Sequence, residues 1–348
     1  MEPNGSMTTP FRMQPLMSTR RAATFCLLLL GLALATSPWV ACTGPENRPT
    51  LPTQPYAMVL GTAQDAGLPQ IACRRECCEL ARANPTLRRL ATSLLLVDPR
   101  DGRRWLFDAT PDLPEQIERA RGHGKAGNFD STTVGRPPLF DGIFLTHAHM
   151  GHCAGLLHLG REAYGSEPID VYATPRMCEF LEAPGLFGLL VSGGHVAPKR
   201  LTPEVPHELA PDLHVRAIRV PHRDECSDTV AFCIEGPERT VLYLPDIDKW
   251  ERWNHRLGEF LQTVDVAYLD GSFYGAGEIP GRDMSQIPHP FVVETMTLLE
   301  NEPAEIRSKV RFLHLNHSNP AAQRDGSQVQ AIRAGGYNLA EPGELFGI

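Results

Sequence analysis

Short apolar runs bounded by turn residues recur along this chain from residue 56 to its end. The runs at residues 56–61, 94–98, 105–108, 142–146, 169–173, 214–220, 229–235, 240–244, 264–269 and 310–315 read as strands. Helical stretches lie between some of them, at residues 79–83, 113–120, 154–164, 175–181, 250–263 and 290–300. Strands come first in consecutive groups and then alternate with helices, and no short tandem repeat is present. That order predicts a layered α/β fold with a large mixed sheet system and functional loops at strand ends. Residues 270–289 are rich in Gly and Pro and show little regular pattern. A loop of that length reads as a lid, a pocket wall or a disordered segment.

The N-terminus follows a different pattern. Arg20 and Arg21 precede an unbroken apolar run at residues 22–35, too short for a comfortable membrane span. A positive segment followed by such a run reads as a secretory signal. The run leads to Val40, Ala41 and Cys42, and a small residue before Cys resembles a bacterial lipoprotein signal. Residues 1–42 are therefore expected to be a leader ending in a lipidated Cys42, with the protein exported to the periplasm or outer surface and held on the membrane. Trp39 stands where Leu is usual, and plain secretion after cleavage near Ala41 is the alternative, as is an uncleaved anchor. Met7, Met13 and Met17 are further possible starts. Residues 43–55 are polar and Pro-rich and read as a tether. Residues 56–348 form the folded domain.

The composition adds exclusions. Hydrophobic content of 42% and charged content of 21% are those of a globular chain. A formal net charge of −8 argues against nucleic acid as a partner and leaves a small-molecule substrate as the expectation. Disulfides are the default for cysteines in an exported protein. Yet Cys73, Cys77 and Cys78 are clustered, and neighbouring cysteines cannot easily meet disulfide geometry with one another.

The densest chemistry is THAHMGH at residues 146–152, where a strand-like run stops. In extended backbone His147 and His149 fall on one side, and His152 follows a turn at Gly151. Three imidazoles at one strand-to-helix turn preorganise a site for zinc or iron. The alternative is a His-rich surface turn.

The motif resembles the HxHxDH signature of the metallo-β-lactamase fold, with Gly151 in place of Asp. Three flanking stretches narrow the likeness: VLGTAQDAGLPQIAC at 59–73, FDATPDL at 107–113 and FLHLNHSN at 312–319. They resemble the pyrroloquinoline quinone biosynthesis protein B branch and are similar to phosphoribosyl cyclic phosphodiesterases, over residues 56–348. The resemblance implies a four-layer αββα sandwich with metals between strand ends. It implies that His147, His149 and His222, in RVPHRD, hold one metal. It implies that Asp246, in LYLPDID, bridges to a second, with Asp248 as its competitor. His152 and His314 would complete the second position, and an exposed turn histidine is the alternative for His222. Relatives also build a structural zinc site from a cysteine trio and a histidine past the final ligand. Here Cys73, Cys77, Cys78 and His317 are the matching residues, although the spacing of CRRECC differs. The alternatives for these cysteines are burial as small apolar residues or disulfides to Cys153, Cys178, Cys226 or Cys233.

Glycine offers no ligand, so the second metal would keep His152, Asp246, His314 and water. One metal is the minimum expectation and two the favoured one, with zinc first and iron or manganese as alternatives. His289, in SQIPHP, is the expected proton donor, placed at a helix N-terminus by Pro290; a capping or surface histidine is the alternative. Asp108 is expected to orient the metal-site loops, and Asp112 to be framework. His158 reads as structural, and His123, His195, His207, His214 and His255 belong to no constellation. The leading expectation is an exported hydrolase in which a metal-activated hydroxide attacks an ester, lactone or phosphodiester. An iron-dependent oxidative enzyme or accessory of quinone-cofactor biosynthesis, and a metal-binding protein without catalysis, are the alternatives. The sequence does not fix the oligomeric state.

Overall fold

The computed structural model describes residues 51–127 and 132–348. The expected leader and residues 43–50 of the expected tether lie outside the described residues. Fourteen strands are described: β1 (Tyr56–Gly61), β2 (Ser93–Asp98), β3 (Arg103–Phe107), β4 (Gly142–Phe144), β5 (Ile169–Ala173), β6 (Val196–Arg200), β7 (His207–Ala210), β8 (Leu213–Val220), β9 (Thr229–Glu235), β10 (Thr240–Leu244), β11 (Val266–Asp270), β12 (Val310–Leu313), β13 (Asn338–Leu339) and β14 (Leu345–Gly347). They form two seven-stranded sheets, in the orders β14-β1-β2-β3-β4-β5-β6 and β13-β12-β11-β10-β9-β8-β7. The first is antiparallel from β14 to β3 and parallel from β3 to β6. The second is antiparallel from β7 to β10 and parallel from β10 to β13.

Both faces of each sheet are buried, which explains why the strands read as continuous apolar runs instead of alternating ones. In β1, Ala57 and Val59 enter the core between the sheets, while Tyr56, Met58 and Leu60 enter a second core. β2 divides the same way, with Leu94 and Leu96 between the sheets and Leu95 and Val97 on the other side. The outer core of the first sheet takes Leu113, Met177 and Leu181 from its covering helices. That of the second takes Leu257, Leu261, Val329 and Ile332. The result is the αββα sandwich expected from the resemblance.

The strands that the apolar pattern missed are β6, β7, β13 and β14, and these are the four sheet edges. Edge strands bury less and tolerate residues a central strand rejects. β6 carries Pro198, Lys199 and Arg200, the last two exposed.

Three helical expectations need correction. The stretch at 154–164 is a short α-helix at Met150–Cys153 followed by a 3-10 helix at Ala154–Leu159. The stretch at 250–263 is a 3-10 turn at Trp250–Arg252 and a separate helix at Leu257–Leu261. The helix expected from Pro290 begins instead at Val292, capped at Phe291, whose amide is held by the Glu294 carboxylate at 2.9 Å. A β-bridge between Phe273 and Phe291 keeps the backbone extended there, so His289 does not sit at a helix N-terminus. The 270–289 loop is a packed wall: Phe273, Met284, Ile287 and Phe291 form a small core of their own.

Candidate metal centre

Within the first sheet β1, β3 and β4 run one way, and within the second β8, β10, β11 and β12 do. The chemistry sits past their C-terminal ends: Asp108 after β3, His147 to His152 after β4, His222 after β8, Asp246 after β10 and His314 after β12. Backbone at such ends has left the ladder and can aim side chains at a shared point.

Asp108 organises the histidine turn. Its carboxylate accepts from the Thr146 amide at 2.8 Å, the Thr146 hydroxyl at 3.0 Å and the Tyr243 hydroxyl at 3.1 Å. It also lies 2.8 Å from His152 Nδ1. Other rings are held in the same manner. His147 Nδ1 is 2.9 Å from Thr146 Oγ1, and His314 Nδ1 is 2.9 Å from Ser272 Oγ. His149 Nε2 is 3.0 Å from Glu225, and His289 Nδ1 is 2.7 Å from Asp270. One nitrogen of each ring is thus committed to an orienting partner, which fixes the direction of the other.

Nitrogens of five rings surround Asp246. Its Oδ2 lies 2.8 Å from His152 Nε2, 3.5 Å from His314 Nε2 and 3.6 Å from His147 Nε2. Its Oδ1 lies 3.3 Å from His289 Nδ1 and 3.9 Å from His222 Nε2. His147 Nε2 is 2.8 Å from His149 Nδ1. The ligand atoms of His147, His149 and His222 form one metal-sized group, and those of His147, His152 and Asp246 form another.

A divalent metal fits these residues. His314 Nε2, His222 Nδ1 and Asp246 Oδ1 are buried without a hydrogen-bond partner, a costly state unless something else satisfies them. Burial and neighbouring imidazoles push His147 and His314 well below the ordinary histidine range and His222 down to about 2, which keeps them in the neutral, ligating form. Burial also opposes charge on His289, but the Asp270 and Asp246 carboxylates outweigh it and push that histidine up to about 9. The centre reaches solvent at His149, whose side chain is 22% exposed, while those of His147 and His152 are 1% exposed.

The residues expected at the site fall as follows. Asp246 faces the histidines, whereas Asp248 turns away to the Lys249 amide and the Arg252 guanidinium. His314 joins the histidine centre, and His317 lies with Cys73 and Cys78 in a separate group. Cys77 falls outside that group. It neighbours Cys78 on the helix Glu76–Ala83, where successive side chains diverge by about 100°. Its Sγ is 4.0 Å from that of Cys78. The seven described cysteines are free thiols, with Cys153, Cys178 and Cys233 buried as small apolar residues. Asp112 accepts the Ala91 amide at 2.7 Å and is framework.

The sequence reading missed Asp65, Glu225, Asp270 and Ser272. Asp270 and Ser272 close β11, and an acidic strand end beside a histidine-bearing loop was the available signal. Asp65 was the one carboxylate within the VLGTAQDAGLPQIAC stretch.

Comparison with known proteins agrees with this architecture. The description "Beta-lactamase superfamily domain" matches residues 103–307. The Coenzyme PQQ synthesis protein B of Klebsiella pneumoniae is 28% identical over 313 residues, covering 83% of this chain and 96% of that protein. Its counterpart in Methylorubrum extorquens strain PA1 is 27% identical, with coverages of 83% and 98%. Among solved structures, zinc-bound PqqB from Methylobacterium extorquens superposes with a TM-score of 0.69 at 22% identity, over 84% of this chain and all of that one. A diphosphatase of the PhnP family superposes with a TM-score of 0.58 at 20% identity, over 84% and 97%.

Proposed function

This chain belongs to the β-lactamase superfamily, and on that premise we propose that it is a metal-dependent hydrolase of a phosphodiester or a cyclic ester. The observation that carries the reading is the Asp246 carboxylate, whose Oδ2 faces His147, His152 and His314 and whose Oδ1 faces His222 and His289. His147, His149 and His222 would hold a first metal. His152, His314 and Asp246 would hold a second. Zinc suits both ligand sets, and it supplies Lewis acidity and a water that ionises near pH 7.

The remaining steps belong to the protein. Asp246 would serve both positions from one side chain, one carboxylate oxygen toward each group of histidines. His289 Nδ1 stands 2.7 Å from Asp270 and 3.3 Å from Asp246, and with both carboxylates favouring its charged form His289 is the proton donor for the leaving oxygen. Asp108, Ser272 and Glu225 hold rings in place before substrate arrives, which removes reorganisation from the reaction step.

A second reading takes its support from the relatives' names. A part in PQQ synthesis, with iron at the histidines, is the alternative chemistry for the same ligands. We also propose that the chain is exported and anchored through Cys42, on the strength of the leader-like residues 20–42. A Cys42→Ala variant should then move from the membrane to the soluble fraction.

The deciding experiment measures metal content by mass spectrometry and turnover of bis(p-nitrophenyl) phosphate and simple lactones, on the chain from residue 43 and its His147→Ala variant. Zinc with turnover, both lost in the variant, supports the hydrolase. Iron without hydrolysis favours the second reading. Metal content unchanged in His147→Ala overturns both.

A further inference from the structure

Gly151 stands where the family signature has a carboxylate, and the structure shows what fills the space. We propose that Asp65, from the loop after β1, is the anionic ligand of the second metal in place of the side chain that residue 151 lacks. This rests on the reading of the histidine centre as a metal site.

The first argument is steric. A Cβ built on Gly151 would lie 2.0 Å from Asp65 Oδ1, 2.9 Å from its Cγ and 2.7 Å from its Cα. The last of these is backbone, so no side-chain rotation relieves the clash. Residue 151 can carry a side chain, or Asp65 can occupy its place, but not both. Gly151 is therefore a condition for the approach of Asp65, and the acidic ligand has changed its place in the sequence while keeping its place in space.

The second argument is the set of partners. Asp65 Oδ1 is 3.8 Å from His152 Nε2 and 4.0 Å from His314 Nε2, the latter a buried nitrogen without a hydrogen-bond partner. These three ligand atoms form a group of metal-holding size. Bonds of about 2.1 Å in a tetrahedron place neighbouring ligand atoms about 3.4 Å apart. The observed separations need only a contraction of several tenths of an ångström. Asp246 Oδ2, 2.8 Å from His152 Nε2 and 3.5 Å from His314 Nε2, would be the fourth ligand, with its separation from His152 lengthened by several tenths of an ångström.

The third argument is how the loop is held. The Gln64 amide donates to the Leu315 carbonyl at 2.9 Å, and the Leu315 amide donates to Thr62 at 2.8 Å. The Gly67 amide closes a turn onto Gln64 at 2.8 Å, with Asp65 inside it at φ +24°. Leu315 follows His314 directly, so Asp65 and His314 are delivered as one backbone-paired unit. Two imidazoles and two carboxylates restore the charge that Gly151 alone would have cost the site.

The test is zinc stoichiometry and affinity by native mass spectrometry and competitive chelation, in a Cys73→Ser/Cys78→Ser background that removes the cysteine group. The parent should take two zincs. Asp65→Ala and the isosteric Asp65→Asn should keep the first and lose affinity for the second by at least about tenfold. Gly151→Asp should disturb the site, because its side chain meets the Asp65 backbone as well as its carboxylate. Two zincs of unchanged affinity in Asp65→Ala and Asp65→Asn would overturn the assignment and leave the hydrolase reading intact. A single zinc in the parent would also overturn it, with the first position still standing. No zinc in the parent would remove both.

Discussion

The histidine centre and the cysteine corner are both made of metal-binding side chains, but they are supported in different ways. In the centre five of the six rings are steered by a side chain: Asp108 on His152, Thr146 on His147, Ser272 on His314, Asp270 on His289 and Glu225 on His149. In the corner the supports are main-chain amides: Gln70 N reaches Cys78 Sγ at 3.3 Å and Arg75 N reaches Cys73 Sγ at 3.4 Å. The reason is chemical. An imidazole has two nitrogens and must be told which to present, whereas a thiolate has one atom and needs only placement and N–H donors. The centre is also shared between both sheets, while the corner joins one short helix to the loop after β12. On the function proposed above, the first would carry the chemistry and the second local stability.

Asp246→Asn should break the comparison most severely. It removes the charge that both halves of the centre face, and turnover should fall by at least about a thousandfold. Zinc at the centre should drop, while zinc at the corner, counted separately, should stay. His289→Ala comes next. Loss of a proton donor costs about a hundredfold to ten-thousandfold in kcat, with zinc content unchanged. If zinc is lost as well, His289 is a ligand, which its place in a group with His222 and Asp246 allows.

How much of this was legible beforehand follows the same division. The central strands were legible because burial on both faces makes them continuous apolar runs. The four edge strands were not, because β13 and β14 are very short and β6 carries Pro198 and exposed charge. Three centre histidines were legible because the turn after β4 places them within six residues of one another. His222, Asp246 and His314 needed the family likeness, since only the closed sandwich brings their strand ends together. Asp65 escaped notice because nothing in a linear reading links residue 65 to residue 151. The steric exclusion between them exists only in three dimensions.

Cys78→Ser should separate the corner from the centre. Cys78 is fully buried, and burial pushes its thiol up to about 12, so a metal bound there would have to hold the thiolate against that cost. Its loss should release the corner zinc and lower the Tm by about 5–10 °C. Turnover at permissive temperature should stay within about twofold of the parent, as expected for a site that shares no ligand with the centre. A large fall in kcat instead would mean that the corner positions the catalytic loops through His317, three residues past His314.

Cys77→Ser should have the smallest effect, and it bears most directly on how the corner is built. The likeness to relatives places Cys73, Cys77, Cys78 and His317 around one zinc, but the geometry brings together only Cys73, Cys78 and His317. On the helix Glu76–Ala83, Cys78 is fully buried in the core while Cys77 is half-buried and packs against its edge. For Cys77 to ligate, the first turn of that helix would have to rotate or unwind, against the packing of Cys78 and Ala81 in the core. The expected result is therefore corner zinc retained and a Tm within about 1–2 °C of the parent, the size of an ordinary surface change. A loss of zinc matching that of Cys78→Ser would show that metal binding reshapes the helix start, and the corner would then be a site completed by its ion while the centre is formed in advance.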